Sequence, residues 1–299
     1  MNALFSLRTP SLLAFAFSFA LALGGCSQGD AFQKIESAPG HEARQTEQAQ
    51  EERNEEPDPD LPTVVFATKA NYIPYEYIDE NGRVVGFEAD IVKAIAKDQG
   101  FNAKIRDIPT SVPWDKYIGM IDAPGDVDVL FAALARTPDR AQRYGVTNAY
   151  STSVVSAIWF DPDLDVKSPE DLKNHKVAVE QGYMEDFAKD AGAKDVLATV
   201  SGYAALKAVS TDQAQVALCD QAVVRYFLKD RTDVKQPFSL DIRDEFETMG
   251  MLTRKDNPEL LKKLNAGIRN IIDNGEWKKI NQKWFGKNFD DAPPAPGVF

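Results

Sequence analysis

Residues 63–100, TVVFATKANYIPYEYIDENGRVVGFEADIVKAIAKDQG, decide the architecture. Thr63 to Thr68 is a β-branched run of strand length. Tyr75-Glu-Tyr-Ile78 and Arg83-Val-Val85 flank Asp79-Glu-Asn81-Gly82, whose Asn-Gly step predicts a hairpin with a type I′ turn. Ile91, Val92, Ile95 and Ala96 then recur at helical spacing after Glu88, and Gly100 offers a left-handed stop. A strand, a hairpin and a helix in succession open an α/β unit.

The alternation continues outward. Ala103 to Ile108 reads as a strand, Trp114 to Ile121 as a helix, and Val127 to Ala133 as an almost wholly apolar strand that suits a central parallel position covered on both faces. Strands over 176–180, 196–200 and 214–218 then alternate with helices over 184–191, 204–211 and 221–229. That spacing predicts α/β lobes with mostly parallel sheets. Ser151 to Phe160 and Phe246 to Thr253 read as extended crossings between two lobes, and helices over 258–274 and 276–285 would complete the first. The expected organisation is lobe one over 63–152 and 248–289, with lobe two over 153–247.

The ends carry different signals. Met1 to Cys26 reads as an export signal: Arg8 supplies the charge, Leu12 to Leu23 the apolar stretch interrupted only by Ser18, and Leu23-Gly24-Gly25-Cys26 a small-residue cleavage site. The apolar stretch falls short of the roughly 20 residues a bilayer span needs. The site resembles the lipobox of bacterial lipoproteins, which implies lipid attachment at Cys26, palmitate included, and a place in the cell envelope facing the periplasm or the exterior. Ser27 to Pro62 is rich in Gln, Glu, Pro and Ala without apolar periodicity, and is expected to be a flexible acidic tether. Residues 290–299, with Pro293 to Pro296, read as a loose tail.

Composition excludes several classes. The formal net charge of -12 argues against nucleic acid, whose phosphates demand a basic footprint. With Cys26 lipidated, Cys219 has no partner for a disulfide and reads as a small core residue. Two histidines, His41 and His175, are too few for a histidine metal cluster or a histidine-based catalytic site. No cofactor, no metal and a monomer are expected.

Tyr72-Ile-Pro-Tyr-Glu-Tyr77 followed by Gly86-Phe-Glu-Ala-Asp90 resembles the opening of the solute-binding proteins of polar amino-acid ABC importers, the family 3 extracellular solute-binding proteins. Further matches follow in the family's order: Trp114-Asp115, Asp126 to Ala133 leading into Arg136-Thr-Pro-Asp-Arg140, Ser168-Pro-Glu-Asp-Leu172, Val177 to Gly182, Ala217-Leu-Cys-Asp220, Arg254 to Leu260, and Gly275-Glu-Trp-Lys-Lys-Ile280 with Lys283-Trp-Phe-Gly286. The resemblance implies a type II periplasmic-binding-protein fold: two α/β lobes, two hinge strands, and a ligand in the cleft between them. It also implies a membrane permease as partner.

Carried over by position, Arg140 matches the arginine that forks onto a ligand α-carboxylate, and Asp220 the aspartate that accepts from the α-ammonium. Asp220 also suits the N-cap of the helix that follows it. Tyr72 and Trp114 match the aromatic walls of the ligand site. The chain departs from the pattern where many relatives carry hydroxyls or glycines: it has Ala132, Ala133 and Ala135, and Gly182-Tyr183-Met184 in place of Gly-Thr-Thr. Backbone N–H groups at Ala135 and Met184 remain for the carboxylate, while Tyr183 and Met184 make the second wall bulkier and less polar. Lys69 stands where some relatives hold a cationic side chain with an acid, which disfavours lysine or arginine and favours an acidic or neutral polar solute.

Three rivals share the architecture. Dehydratases of this fold need a poised acid, for which Glu180 or Glu185 could serve, but no histidine or paired carboxylate converges with them. Kinase sensor modules and cell-wall lytic enzymes need further chain. The expectation is a binding protein, not an enzyme, with a lipid-anchored accessory or sensory binding role as the alternative to transport.

Overall fold

The computed structural model describes residues 57–229, 237–242 and 247–286. The signal segment with Cys26, most of the acidic tether and the tail lie outside the described residues, as does His41.

The chain folds into two α/β lobes. The first opens with β1 (Thr63–Thr68), the short hairpin strands β2 (Asn71–Tyr72), β3 (Glu76–Ile78) and β4 (Val84–Val85), and helix α1 (Phe87–Gln99). There follow β5 (Asn102–Asp107), α2 (Trp114–Ile118), β6 (Val129–Leu130), α3 (Pro138–Arg143) and β7 (Tyr144–Val146). β5, β1 and β6 are parallel, and a late strand, β15 (Leu252–Arg254), enters antiparallel between β6 and β7. Helix α1 ends where Gly100 turns left-handed at φ 66°. It buries Phe87, Ile91, Val92 and Ile95 completely, packed in one core with Leu264, Ile268 and Ile271 of α7 (Pro258–Asp273). Each such side chain is worth about 1.5–3 kcal/mol on leaving water. Helix α8 (Glu276–Phe285) closes the lobe, Trp284 donating its indole N–H to Asp90 at 2.7 Å.

The second lobe is built from β9 (Val155–Trp159), β10 (Lys176–Glu180), α4 (Tyr183–Asp190), β11 (Asp195–Thr199), α5 (Gly202–Ser210), β12 (Val216–Asp220), α6 (Gln221–Leu228) and β13 (Phe238–Asp241). β11, β10 and β12 are parallel, with β9 and β13 added antiparallel. Cys219 is buried in this lobe's core beside Ala205 and Val224, in keeping with its reading as a small apolar residue.

Two strands join the lobes. β8 (Ser151–Ser153) pairs antiparallel with β14 (Glu247–Met249), so outgoing and returning chain run side by side. A second seam lies where α6 meets α8: the Tyr226 and Trp284 rings stack at 5.9 Å, and the Lys229 ammonium donates to the carbonyls of Lys283 and, at 3.0 Å, Trp284. A cation on carbonyls at a helix C-terminus is the favourable electrostatic arrangement.

Two local expectations are corrected. The strand expected over 127–133 pairs only at Val129 and Leu130, because Ala133 takes φ 47° and turns the chain out of the sheet. The hairpin loop is not type I′, which needs a positive φ at both central residues; Gly82 alone has one, at 77°. Asp79 explains the difference: its carboxylate accepts from the N–H groups of Asn81 (2.9 Å) and Arg83 (2.8 Å) and from the Arg83 guanidinium, and holds the loop in an Asx-type turn. Among the described residues no helix is long and apolar enough to cross a membrane.

Candidate functional site

Carboxyl ends of parallel strands are where open α/β sheets bind ligands. In lobe one these ends carry Lys69 just after β1 and the loop from Phe131 to Thr137 after β6. The loop is fixed by the returning hinge chain: Arg136 donates its backbone N–H to Thr248 at 2.8 Å, Gly250 donates to Leu134 at 3.0 Å, and Ala135 bridges Met249. Thr137 caps α3, accepting from the Arg140 N–H at 3.3 Å, and Pro138 opens the helix with its φ already set. The cap presents Arg140 in the first turn, where its guanidinium reaches back to the Ala135 carbonyl. Ala133, Ala135 and Arg140 thus form one unit at the sheet edge.

Trp114 opens α2 and is 53% exposed. The Lys69 ammonium lies 5.2 Å from the centre of its ring and donates to the carbonyls of Thr110, at 3.2 Å, and Val112. Lys69 is 4% exposed, so it does not snorkel to solvent; its charge is held inside by two carbonyls and an aromatic face.

In lobe two, Asp220 ends β12 and caps α6, its Oδ1 accepting from the Ala222 N–H at 2.8 Å. Its Oδ2 accepts from the Tyr75 hydroxyl of lobe one at 3.2 Å. Tyr75 is fully buried and tilts against Tyr72, ring centres 5.3 Å apart. Desolvation first, and then the negative charges of Asp220 and Glu180, push the Tyr72 hydroxyl well above the ordinary phenol range. Glu180 ends β10, accepts from the Gly202 N–H at 3.2 Å, and is itself raised by burial. Tyr183 and Met184 open α4, with Met184 half-buried against the lobe-two core.

Tyr72 packs on Tyr75, and Tyr75 bonds Asp220 across the lobes, while Arg140 with the alanine loop and Lys69 with Trp114 lie at the carboxyl ends of the lobe-one strands. Two participants are absent from the sequence-based site. Tyr75 was legible only as a member of the family motif, and Glu180 only as a candidate acid. Glu185, the other candidate, pairs with Lys189 at 2.6 Å on the surface of α4. Among the described residues no group of histidine, cysteine and acidic side chains is arranged to hold a metal ion.

The sequence model of the bacterial extracellular solute-binding proteins, family 3, matches residues 64–287. The chain belongs to that family. Among its family 3 relatives are the arginine-binding extracellular protein ArtP of Bacillus subtilis, 26% identical over 74% of this chain and 86% of the relative. A putative ABC transporter arginine-binding protein 2 of Escherichia coli is 28% identical over 75% and 91%. A solved structure of an ancestral cationic amino-acid solute-binding protein superposes with a TM-score of 0.65 at 28% identity, covering 75% of this chain and 95% of that one. The family match spans both lobes and every site position named above.

Proposed function

We propose that this family 3 protein captures a small amino-acid-like solute in the interlobe cleft outside the cytoplasm and delivers it to an ABC importer. The reading is supported by Arg140 opening α3 at the carboxyl end of the lobe-one sheet and by Asp220, suited to an ammonium, opening α6 in lobe two with its carboxylate bonded across the lobes to Tyr75. In this account Arg140 and the N–H groups of Ala135 and Met184 take the solute carboxylate, and Asp220 takes the ammonium. Tyr72, Trp114, Ala133 and Tyr183 shape the space around the side chain, and closing the lobes excludes water and strengthens each polar contact.

The relatives named for arginine do not fix the solute here. In this account the Lys69 ammonium, held beside Trp114, faces the solute side chain, so the reading favours a neutral polar or acidic amino acid. Binding rather than turnover is supported by the names of the relatives. Attachment of the domain to a membrane through lipid on Cys26 is part of the proposal and rests on Leu23-Gly24-Gly25-Cys26. Loss of palmitate labelling in Cys26→Ser checks it.

Thermal-shift screening of the L-amino acids, followed by calorimetry on the hits, tests the central reading. Solute at roughly 100 times its Kd raises stability by about 2.7 kcal/mol. A product assay on each hit separates a binder from an enzyme using Glu180.

A further inference from the structure

Beneath the alanine loop lies an acid pair that the binding account does not use. Glu76 of β3 and Glu88 in the first turn of α1 are 1% and 0% exposed and are brought together where the Glu88 N–H donates to the Tyr75 carbonyl at 2.9 Å. Two carboxyl groups packed together away from water escape mutual repulsion when one of them keeps its proton. Glu88 has donors to serve: its Oε2 accepts from the Ala133 N–H at 2.7 Å, and its Oε1 accepts from the Tyr150 hydroxyl. Glu76 has an oxygen, Oε2, buried with no hydrogen-bond partner, which a neutral carboxyl tolerates far better than an anion.

We propose that Glu76 and Glu88 share one proton and together hold the Ala133 turn, so that the lobe-one edge of the cleft is ordered only while that proton is present. Ala133 needs such a hold. It has a side chain yet sits at φ 47°, a conformation such residues adopt when their surroundings enforce it. The Glu88 carboxylate, bonded to its N–H, is the enforcing contact, and Glu88 is in turn braced by the helix N-terminus on which it stands. Glu76 and Glu88 are positioning residues: they act through Ala133.

Burial and the second carboxyl are what favour retention of the proton; the groups around the pair are Tyr150, whose hydroxyl donates to Glu88, Tyr117 on α2, Tyr72 on the Glu76 side, Tyr75 on the Glu88 side, and Arg140 beyond Tyr117. Burial first, and then the charge of Glu88, push the Glu76 carboxyl well above the usual range. A carboxyl raised in the folded state contributes stability that is complete below its unfolded value and is lost as the pH climbs through the folded one. The pair therefore loosens toward alkaline pH.

The inference rests on the Ala133 turn belonging to the cleft, but its test needs no solute, so an empty amino-acid screen would leave it standing. Infrared spectra of the intact protein should show a protonated-carboxyl band at neutral pH that vanishes on alkaline titration and is missing in Glu76→Gln. Amide exchange at Ala133, corrected for its intrinsic pH dependence, should accelerate as the band disappears, and Glu76→Gln, whose amide donates at any pH, should flatten that rise. Glu88→Gln should speed Ala133 exchange about tenfold at neutral pH, the loss expected when a buried N–H gives up its charged acceptor. If Glu88→Gln does not fold, the pH profile of Glu76→Gln decides. A protein without the band, or an Ala133 exchange profile identical in wild type and Glu76→Gln, overturns the proposal.

Discussion

The hydroxyl of Tyr75 in lobe one lies 3.2 Å from Oδ2 of Asp220 in lobe two, a side-chain bond between residues 145 positions apart that spans the cleft. Asp220 is 2% exposed and its other oxygen caps α6, so one carboxylate ties a helix, a strand end and the opposite lobe together. Its geometry leads to the first expectation.

Tyr75→Phe keeps the ring in the core and removes the cross-cleft donor. A net hydrogen bond to a charged group is worth about 1.5–3 kcal/mol. Affinity for the best solute should fall roughly tenfold, and the loss should appear in the dissociation rate measured by stopped flow. An unchanged dissociation rate would mean that the bond does not hold the closed form.

Lys69 makes a prediction about selectivity. Its ammonium is fixed by the carbonyls of Thr110 and Val112 and by the face of Trp114. Lys69→Ala frees that position, and arginine or lysine should then gain about tenfold or more in affinity relative to neutral amino acids, since a like charge in a desolvated site costs at least that much. Competition calorimetry with arginine is the check. If the wild type already binds arginine tightly, Lys69 is not a barrier.

Gly86 enters α1 at φ 137°, and a Cβ there would lie 2.2 Å from the Tyr75 carbonyl oxygen. Gly86→Ala should destabilise lobe one by about 2 kcal/mol or more, because both the backbone strain and the clash fall on rigid main chain. Chemical denaturation followed at Trp277 and Trp284, which pack in the same core, reads it.

Most of the fold was legible because its signals are local. The run Thr63–Thr68, the apolar spacing of Ile91, Val92 and Ile95, and the stop at Gly100 each involve neighbours within a few turns, and each element forms where it was expected. The two crossings were legible as long β-rich segments, but only their first residues pair across the hinge as β8 and β14, while Val155–Trp159 joins the lobe-two sheet and Leu252–Arg254 the lobe-one sheet. One failure was a contact with a distant residue and the other a local competition for the backbone. The turn at Ala133 is set by Glu88, 45 positions earlier, and nothing in an alanine announces a left-handed backbone. The hairpin loop was misjudged because Asp79 competes for the backbone that Asn81 and Gly82 would otherwise fold alone.

The site shows the same division. Arg140 and Asp220 stand at helix starts that the sequence marks with Thr137-Pro138 and with Asp220 itself. Tyr75 and Glu180 reach the cleft only through tertiary packing, and the burial of Lys69 depends on carbonyls more than 40 positions away.

The most direct measurement is calorimetry of wild type and Arg140→Ala against the amino acid that gives the largest thermal shift. The account predicts one site per chain, with affinity reduced at least about a hundredfold in the variant, as expected when a bidentate charged contact in a closed cleft is removed. Equal affinity in the two proteins, or no binding of any amino acid by the wild type, would contradict it.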